Sequence, residues 1–500
     1  MYILLVILGA AALLELGVYF IPLLWRARTY LVPVQVLADG FASGALIAFR
    51  PGLFSALFLV VSLYRLFNAV RITQGRMYEG YLRFATRRTG LVLLLWQAAI
   101  LLAWLAWGSW HTTGHTTWAV VAGLQVVVAS VLLVTIMRRL RRTSWPNAAA
   151  ALADHDLPTV TVAVPARNET ADLADCLQSI IASDYPKLEI LVLDDCSQGR
   201  RTVDIIRDFA HDGVRFIQGE TPQPTWLAKN QAYDRLLGEA SGELVLFCGV
   251  DVRFAPGSIR QMVATLQAKH KKMLCLLPWR ASTATGFALT QAMRYWWELA
   301  PPRRLFGRPP VLSSCWIAQK QALTKAGGFA AVTRSIVPEA YFARQLRASD
   351  GYSFLRANAR LGVQSLKPTP AQQETVVRTR YPQVHKRPEN VLLVSAAQLL
   401  FVVLPFVLAA AGHLLGIGLA AQLLAVLTAV LLSTAYMLLT LATRTGTWWF
   451  GLVGAPVGSL YDIGLLHYSM WQYEFATVEW KGRNVCIPAM HVISHLPRLD

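Results

Sequence analysis

The chain has 500 residues, of which 55% are hydrophobic and only 15% charged, and its formal charge is +18. Apolar residues gathered in blocks long enough to cross a bilayer exclude an ordinary soluble enzyme. The positive charge does not point to nucleic acid, because it sits at the ends of the apolar runs, at Arg26 and Arg28, Arg71 and Arg76, Arg87 and Arg88, and Arg138 to Arg142, where it marks a cytoplasmic membrane face.

Tyr2 to Leu24, Leu91 to Trp110 and Trp118 to Met137 read as membrane helices before a polar middle, and Val391 to Ala411 and Leu419 to Ala442 read as membrane helices after it. The first run is long and lacks a basic start, so it is expected to stay as a helix and not to be a signal peptide. Phe54 to Val70 and Trp448 to Tyr468 are apolar but interrupted by Gly, Pro, Arg65 or Asp462, and are expected to be short, tilted or partly re-entrant. These boundaries predict an N-terminal membrane region over 1–142, a linker or interfacial helix over 143–156, an α/β domain over 157–390, a second membrane region over 391–472 and a polar tail over 473–500.

Within the α/β domain, Thr159 to Val164, Glu189 to Leu193, Val214 to Ile217, Glu243 to Phe247 and Met273 to Leu277 read as buried strands. Thr170 to Ser183, Arg201 to Ala210, Trp226 to Ala240 and Pro256 to His270 read as the helices between them. Such alternation implies a mostly parallel sheet covered on both faces, with ligands at the carboxyl ends of its strands. The six cysteines (Cys176, Cys196, Cys248, Cys275, Cys315, Cys486) show no CxxC spacing, which argues against disulfides and a zinc site.

Polar residues fall at those strand ends. The first strand runs into Pro165-Ala166-Arg167-Asn168-Glu169 and the second into Asp194-Asp195-Cys196-Ser197. Paired carboxylates at a strand tip suit a base and a ribose, although an Asp-Asp pair also builds turns and helix caps. Lys229, in Trp226-Leu227-Ala228-Lys229-Asn230, opens a helix, where an ammonium and the helix N-terminus suit a diphosphate; alone it would read as a surface lysine. Asp251 follows a buried strand, where a carboxylate can ligate a divalent cation or cap the next helix.

As an ordered set these motifs resemble the catalytic domain of family 2 glycosyltransferases, which has the GT-A nucleotide-diphospho-sugar fold. The late Trp480-Lys481-Gly482-Arg483 strengthens the likeness to the lipid-glycosylating members, such as the ceramide glucosyltransferase-like, hopanoid-associated and carotenoid enzymes. The resemblance implies a GT-A domain inserted between the two membrane regions of a bacterial plasma-membrane protein, facing the cytoplasm. Pro165, Ala166, Asn168, Glu169, Asp194 and Asp195 would hold the nucleotide, Lys229 the diphosphate, and Asp251 a Mg²⁺ or Mn²⁺ ion. Gly249 stands where the family's Asp-x-Asp motif has its first aspartate.

Aligning Phe342 and Leu346 with the family's apolar positions puts Glu339 at the general base, which implies an inverting transfer; Glu339 is also a plain first-turn acid. Ser314, Cys315, Trp316, Gly327 and Gly328 match the region bordering donor sugar and acceptor. The aromatic cluster of Tyr295, Trp296, Trp297 and Trp316 suits packing more than sugar stacking.

Processive relatives carry Gln-x-x-Arg-Trp where this chain has Val377-Arg378-Thr379-Arg380-Tyr381, so a polysaccharide synthase is disfavoured. Arg378 and Arg380 are expected to reach the diphosphate from a gating loop. The tail around Lys481 and Arg483 either closes over the donor or anchors at headgroups. His467, His491 and His495 have no ligand-like spacing. The expected partners are a nucleotide sugar, UDP-linked by the resemblance alone, and a lipid or lipid-linked acceptor at the membrane. A catalytically degenerate scaffold is the alternative that Gly249 keeps open.

Overall fold

The computed structural model describes residues 28–49, 52–73, part of 90–100, 114–146, 152–279, 295–299, 309–367, 369–443, 450–475, 478–481 and 483–485. The run from Tyr2 to Leu24, most of that from Leu91 to Trp110, and Gly482, Cys486, His491 and His495 lie outside them. Two compact units divide the chain: Met1–Val120 with Val384–Ala396 and Gly416–Gly418, and Val121–Gln383 with Ala397–Leu415 and Leu419–Asp500.

In the first unit, helices α1 (Arg28–Phe49) and α2 (Leu53–Thr73) pack side by side. Arg65, which was expected to interrupt α2, lies within one unbroken 21-residue helix. Its guanidinium sits 2.7 Å from the Asp39 carboxylate of α1, so the charge is neutralised by the adjacent helix instead of breaking its own.

The second unit holds the α/β domain. Its elements alternate as β1 (Val160–Ala166), α4 (Ala171–Ile181), β2 (Leu188–Asp194), α5 (Arg201–Asp208), β3 (Val214–Gln218), α6 (Ala228–Glu239), β4 (Leu244–Cys248), β5 (Val252–Arg253), α7 (Ser258–Ala268), β6 (Met273–Leu277), β7 (Cys315–Gln319), α8 (Glu339–Ala348), β8 (Tyr352–Arg356) and β9 (Gln364–Ser365). α3 (Gly114–Arg142) precedes them. All five strands and all four helices expected in the first half of the domain form, within a few residues of their predicted ends.

Seven strands join in the order β3-β2-β1-β4-β7-β6-β8. Pairing is parallel except on both sides of β7, which runs antiparallel to β4 and β6. That reversal brings the start of β7 beside the end of β4, with Cys315 opposite Cys248. Ser314 is thereby carried to the edge where the parallel strands end. The inner strands β4 and β6 are continuous apolar runs because helices cover both faces, splitting the interior into two hydrophobic clusters. Cys176, Cys196, Cys248, Cys275 and Cys315 are free thiols.

After β9 come α9 (Thr369–Gln383), α10 (Pro388–Gln398), a π-helical turn over Leu399–Val403, α11 (Leu404–Ala411), α12 (Leu419–Thr443) and α13 (Phe450–Phe475). A short hairpin of β10 (Glu479–Trp480) and β11 (Arg483–Asn484) follows. Among the described residues, three helices are long and apolar enough to cross a membrane: Thr117–Arg142, Pro388–Ala411 and Leu419–Thr443. Of the expected short, tilted or partly re-entrant segment, α13 corrects the short and re-entrant readings, being one helix of 26 residues that continues through Pro456. Its Asp462 is paired, as Arg65 is, and it packs along α12 so closely that a Cβ on Gly451 would stand 2.4 Å from the Met437 Cα.

Candidate donor-binding and transfer site

A cavity of about 330 Å³ opens at the carboxyl edge of the sheet. Of the residues singled out in the sequence, it gathers Pro165, Glu169, Lys229, Asp251, Ser314, Arg378 and Arg380 in its walls. Ala166, Asn168, Asp194, Asp195, Cys315, Trp316, Gly327, Gly328 and Glu339 stand off its lining, Glu339 in contact with the Lys229 that forms part of it.

β1 and β2 end in register, Ala166 beside Asp194, so the loops that follow them emerge together. Asn168 takes a φ of +50°, which asparagine tolerates, and ties these loops: its N–H donates to Ser197 Oγ (2.9 Å) and its Oδ1 accepts from the Gln198 N–H (2.8 Å). Asp194 accepts from the Ser197 N–H (3.3 Å) and hydroxyl, the turn role open to it from the sequence. Asp195 instead receives Arg483, whose Nη1 lies 2.7 Å from both carboxylate oxygens. Burial raises the Asp195 pKa, and the Arg483 and Arg167 charges oppose the rise.

Lys229 stands in the first turn of α6, as its sequence position predicts. Its Nζ is 3.2 Å from Glu339 Oε1, in the first turn of α8, and 5.0 Å from the Tyr233 ring centroid. Glu339 is fully buried, and its Oε2 has no hydrogen-bond partner among the described residues. Burial lowers the Lys229 pKa; Glu339 opposes the shift and Arg378 adds to it. Beneath them Tyr233, Phe247, Trp316, Phe329 and Phe342 form one aromatic cluster, in which Phe247 and Trp316 stack at 4.3 Å. Cys315 and Trp316 are therefore interior residues of β7, and Ser314 alone of that motif reaches the cavity.

Asp251 does not cap α7, whose N-cap is Gly257. Its Oδ2 accepts from Ser365 Oγ at 2.7 Å, and a Cβ on Gly249 would meet its Oδ1 at 2.8 Å. The missing first aspartate thus leaves room that the Asp251 side chain occupies. One carboxylate, a hydroxyl and substrate phosphates make a donor set that suits a hard, partly hydrated divalent cation.

The opposite end of the cavity is built by α9 and α13. Arg378 and Arg380 lie within a helix and not in the expected loop, because α9 continues through Thr369–Gln383 and packs on α13. Arg380 is committed to the Asp462 carboxylate, to Gln383 Oε1 (3.0 Å) and to the Trp297 face (4.4 Å). Asp462 Oδ2 also accepts from Gln398 Nε2 (2.8 Å) and Trp297 Nε1 (3.0 Å). Arg378 lines the cavity; burial lowers its pKa, and the charges of Tyr473, Glu339 and Glu374 oppose this. Tyr461 and Asp462 were not assigned to the site from the sequence, although an aspartate inside an apolar run is the signal that could have found them.

Residues 161–326 match the family model described as Glycosyl transferase family 2. This segment is a family 2 glycosyltransferase domain. The family 2 domain has the GT-A fold, α/β with a mostly parallel central sheet. A 99-residue stretch is 31% identical to Glycosyltransferase AglE of Haloferax volcanii, covering 19% of this chain and 31% of that protein. Another of 140 residues is 26% identical to Probable glycosyltransferase YdaM of Bacillus subtilis, covering 27% of this chain and 33% of that one, so the chain spans about a third of these curated relatives. The mannosyltransferase PcManGT of Pyrobaculum calidifontis, solved with GDP-Man and Mn²⁺, aligns over 69% of this chain and 99% of its own at 20% identity and a TM-score of 0.43.

Proposed function

We propose that the chain is a membrane-embedded, inverting, non-processive glycosyltransferase. It moves a sugar from a nucleotide-diphospho-sugar, UDP-linked by preference, to a lipid or lipid-linked acceptor. The observation that carries this reading is the single cavity shared by the strand-tip residues Pro165, Lys229 and Asp251 and by Tyr461 and Asp462 of α13, which packs along a helix apolar enough to cross a membrane. α3 ends in Arg139, Arg141 and Arg142 just before the domain, which supports a cytoplasmic donor site.

The nucleoside lies along Pro165 and Glu169, with the diphosphate towards Lys229 and Arg378. Asp251 and Ser365 would hold a divalent cation, which supplies charge compensation for the departing diphosphate. Lys229 turns from Glu339 to the diphosphate, freeing the carboxylate whose Oε2 already lacks a partner among the described residues. Glu339 then takes the acceptor hydroxyl's proton while that oxygen bonds the anomeric carbon from the face opposite the phosphate. The bond from that carbon to the phosphate oxygen breaks, and its electron pair leaves with the nucleoside diphosphate.

Nucleotide release by the purified chain in native lipid extract, across UDP- and GDP-sugars with Mg²⁺ or Mn²⁺, tests the reading against Glu339→Gln. Lipid-dependent release that the substitution abolishes is the expected result. Release unaffected by it removes Glu339 as the base, and nucleotide binding without release turns the domain into a scaffold.

A further inference from the structure

The hairpin after α13 reaches back to the loops after β1 and β2. Arg167 and Lys481 bond reciprocally: Arg167 Nε donates to the Lys481 carbonyl at 3.1 Å, and Lys481 Nζ donates to the Arg167 carbonyl at 2.9 Å. Arg483 Nη1 holds both oxygens of Asp195, and its Nη2 donates to the Asp195 carbonyl at 3.1 Å. The Lys481 ammonium also meets the Glu169 carboxylate and lines the same cavity as Lys229 and Asp251. A residue serving only as a headgroup anchor would turn its charge outward. Lys481 turns its charge towards the strand tips.

We infer that this hairpin completes the donor site: Lys481 contacts the diphosphate of a nucleoside diphosphate, and Arg483 is a positioning residue that holds Asp195 for the nucleoside. The inference rests on the glycosyltransferase reading. Without nucleotide, Glu169 is the anion that Lys481 faces. A diphosphate entering the cavity offers the same ammonium a more strongly charged partner, so Lys481 exchanges one anion for another without leaving its backbone bond to Arg167.

The charge state of Lys481 gives the exchange a signature. Its ammonium faces Glu169 and Arg167, with Asp195 and Arg483 adjacent and Asp172 on the same cavity wall. Burial first, and the Arg167 charge second, lower its pKa to about 8. A bound diphosphate favours the protonated form, so nucleotide binding above that pH takes up a proton and weakens as pH rises.

The test is equilibrium binding of UDP and of GDP, each with Mg²⁺, to the full chain in lipid nanodiscs at pH 7 and pH 9. Wild type is expected to bind at least one nucleotide and to lose about tenfold in affinity between the two pH values. Lys481→Gln is expected to bind about tenfold more weakly at pH 7 and to show little further change at pH 9. Lys481→Arg should match wild type at pH 7 and keep its affinity at pH 9, because a guanidinium stays charged; this comparison decides the matter even if Lys481→Gln fails to fold. Arg483→Ala should weaken binding and Arg483→Lys should restore part of it. Binding by Lys481→Gln equal to or tighter than wild type overturns the inference alone, and in the tighter case marks the hairpin as a plug. Wild type that binds neither nucleotide overturns the glycosyltransferase reading and this inference with it.

Discussion

Lys229 Nζ lies 3.2 Å from Glu339 Oε1, and the carboxylate is wholly buried while the ammonium keeps an edge on the cavity. Taking away the cation strands the carboxylate. Lys229→Met should therefore cost about 3–5 kcal/mol of stability. The double variant Lys229→Met, Glu339→Gln should recover most of that loss without recovering turnover. Denaturant unfolding of wild type, Lys229→Met, Glu339→Gln and the double variant in one detergent checks this, and a Lys229→Met midpoint equal to wild type would show that the pair contributes nothing to the fold.

The Asp251 environment predicts how metal dependence responds to substitution. Chelating divalent cations should stop sugar transfer, and Asp251→Asn should raise the cation concentration needed for half-maximal rate by about tenfold or more. Restoring the absent acid with Gly249→Asp should not improve matters, because a Cβ there meets Asp251 Oδ1 at 2.8 Å and displaces it from Ser365. Rate measured against Mn²⁺ concentration distinguishes the three proteins.

Asp195 predicts an acid-sensitive tail. Burial raises its pKa, so on acidification it takes a proton above the ordinary aspartate range near 4. The folded form then binds a proton that the unfolded form does not yet bind, so this group alone does not destabilise the protein in that window. What protonation removes is the ionic hold on Arg483. Protection factors against hydrogen exchange over residues 478–485, which discount the intrinsic rate, should fall on acidification, and Asp195→Asn should show the lower protection already at pH 7.

Trp316 should behave as a core residue. Trp316→Ala should cost about 3–5 kcal/mol through the cavity it leaves beside Phe247 and Phe342. Trp316→Phe should keep the acceptor KM near wild type, and a large KM change with unchanged melting would return this ring to the acceptor site.

The parts of the fold legible in the sequence are those set by local pattern. Buried strands are largely apolar runs, so β1, β2, β3, β4 and β6 stand out, whereas Cys315–Gln319 runs straight into the helix Lys320–Lys325 and Tyr352–Arg356 carries Ser353 and Arg356 within its run. The charges that disrupted two apolar runs, Arg65 and Asp462, were misleading because their partners, Asp39 and Arg380, are distant in sequence. Long-range pairing hid the site's wiring in the same way. Lys229, Glu339, Asp195 and Arg483 could each be picked out, but nothing local says that Lys229 meets Glu339 across 110 positions or that Asp195 meets Arg483 across 288.

One helix reaches the cavity twice, through its own middle and through the segment that follows it. α13 sets Tyr461 and Asp462 in its wall, and only residues 476–477 separate Phe475, where the helix stops, from the segment Val478–Lys481 that carries the ammonium to the strand tips. A helix turn advances about 5.4 Å, so the span from Asp462 to Phe475 is a stiff strut of roughly 20 Å. A ligand that shifts the strut at one end must alter affinity at the other by an equal factor, because coupling between two binding equilibria is reciprocal. Acceptor and donor, which meet at the anomeric carbon, would then also sense each other through this lever.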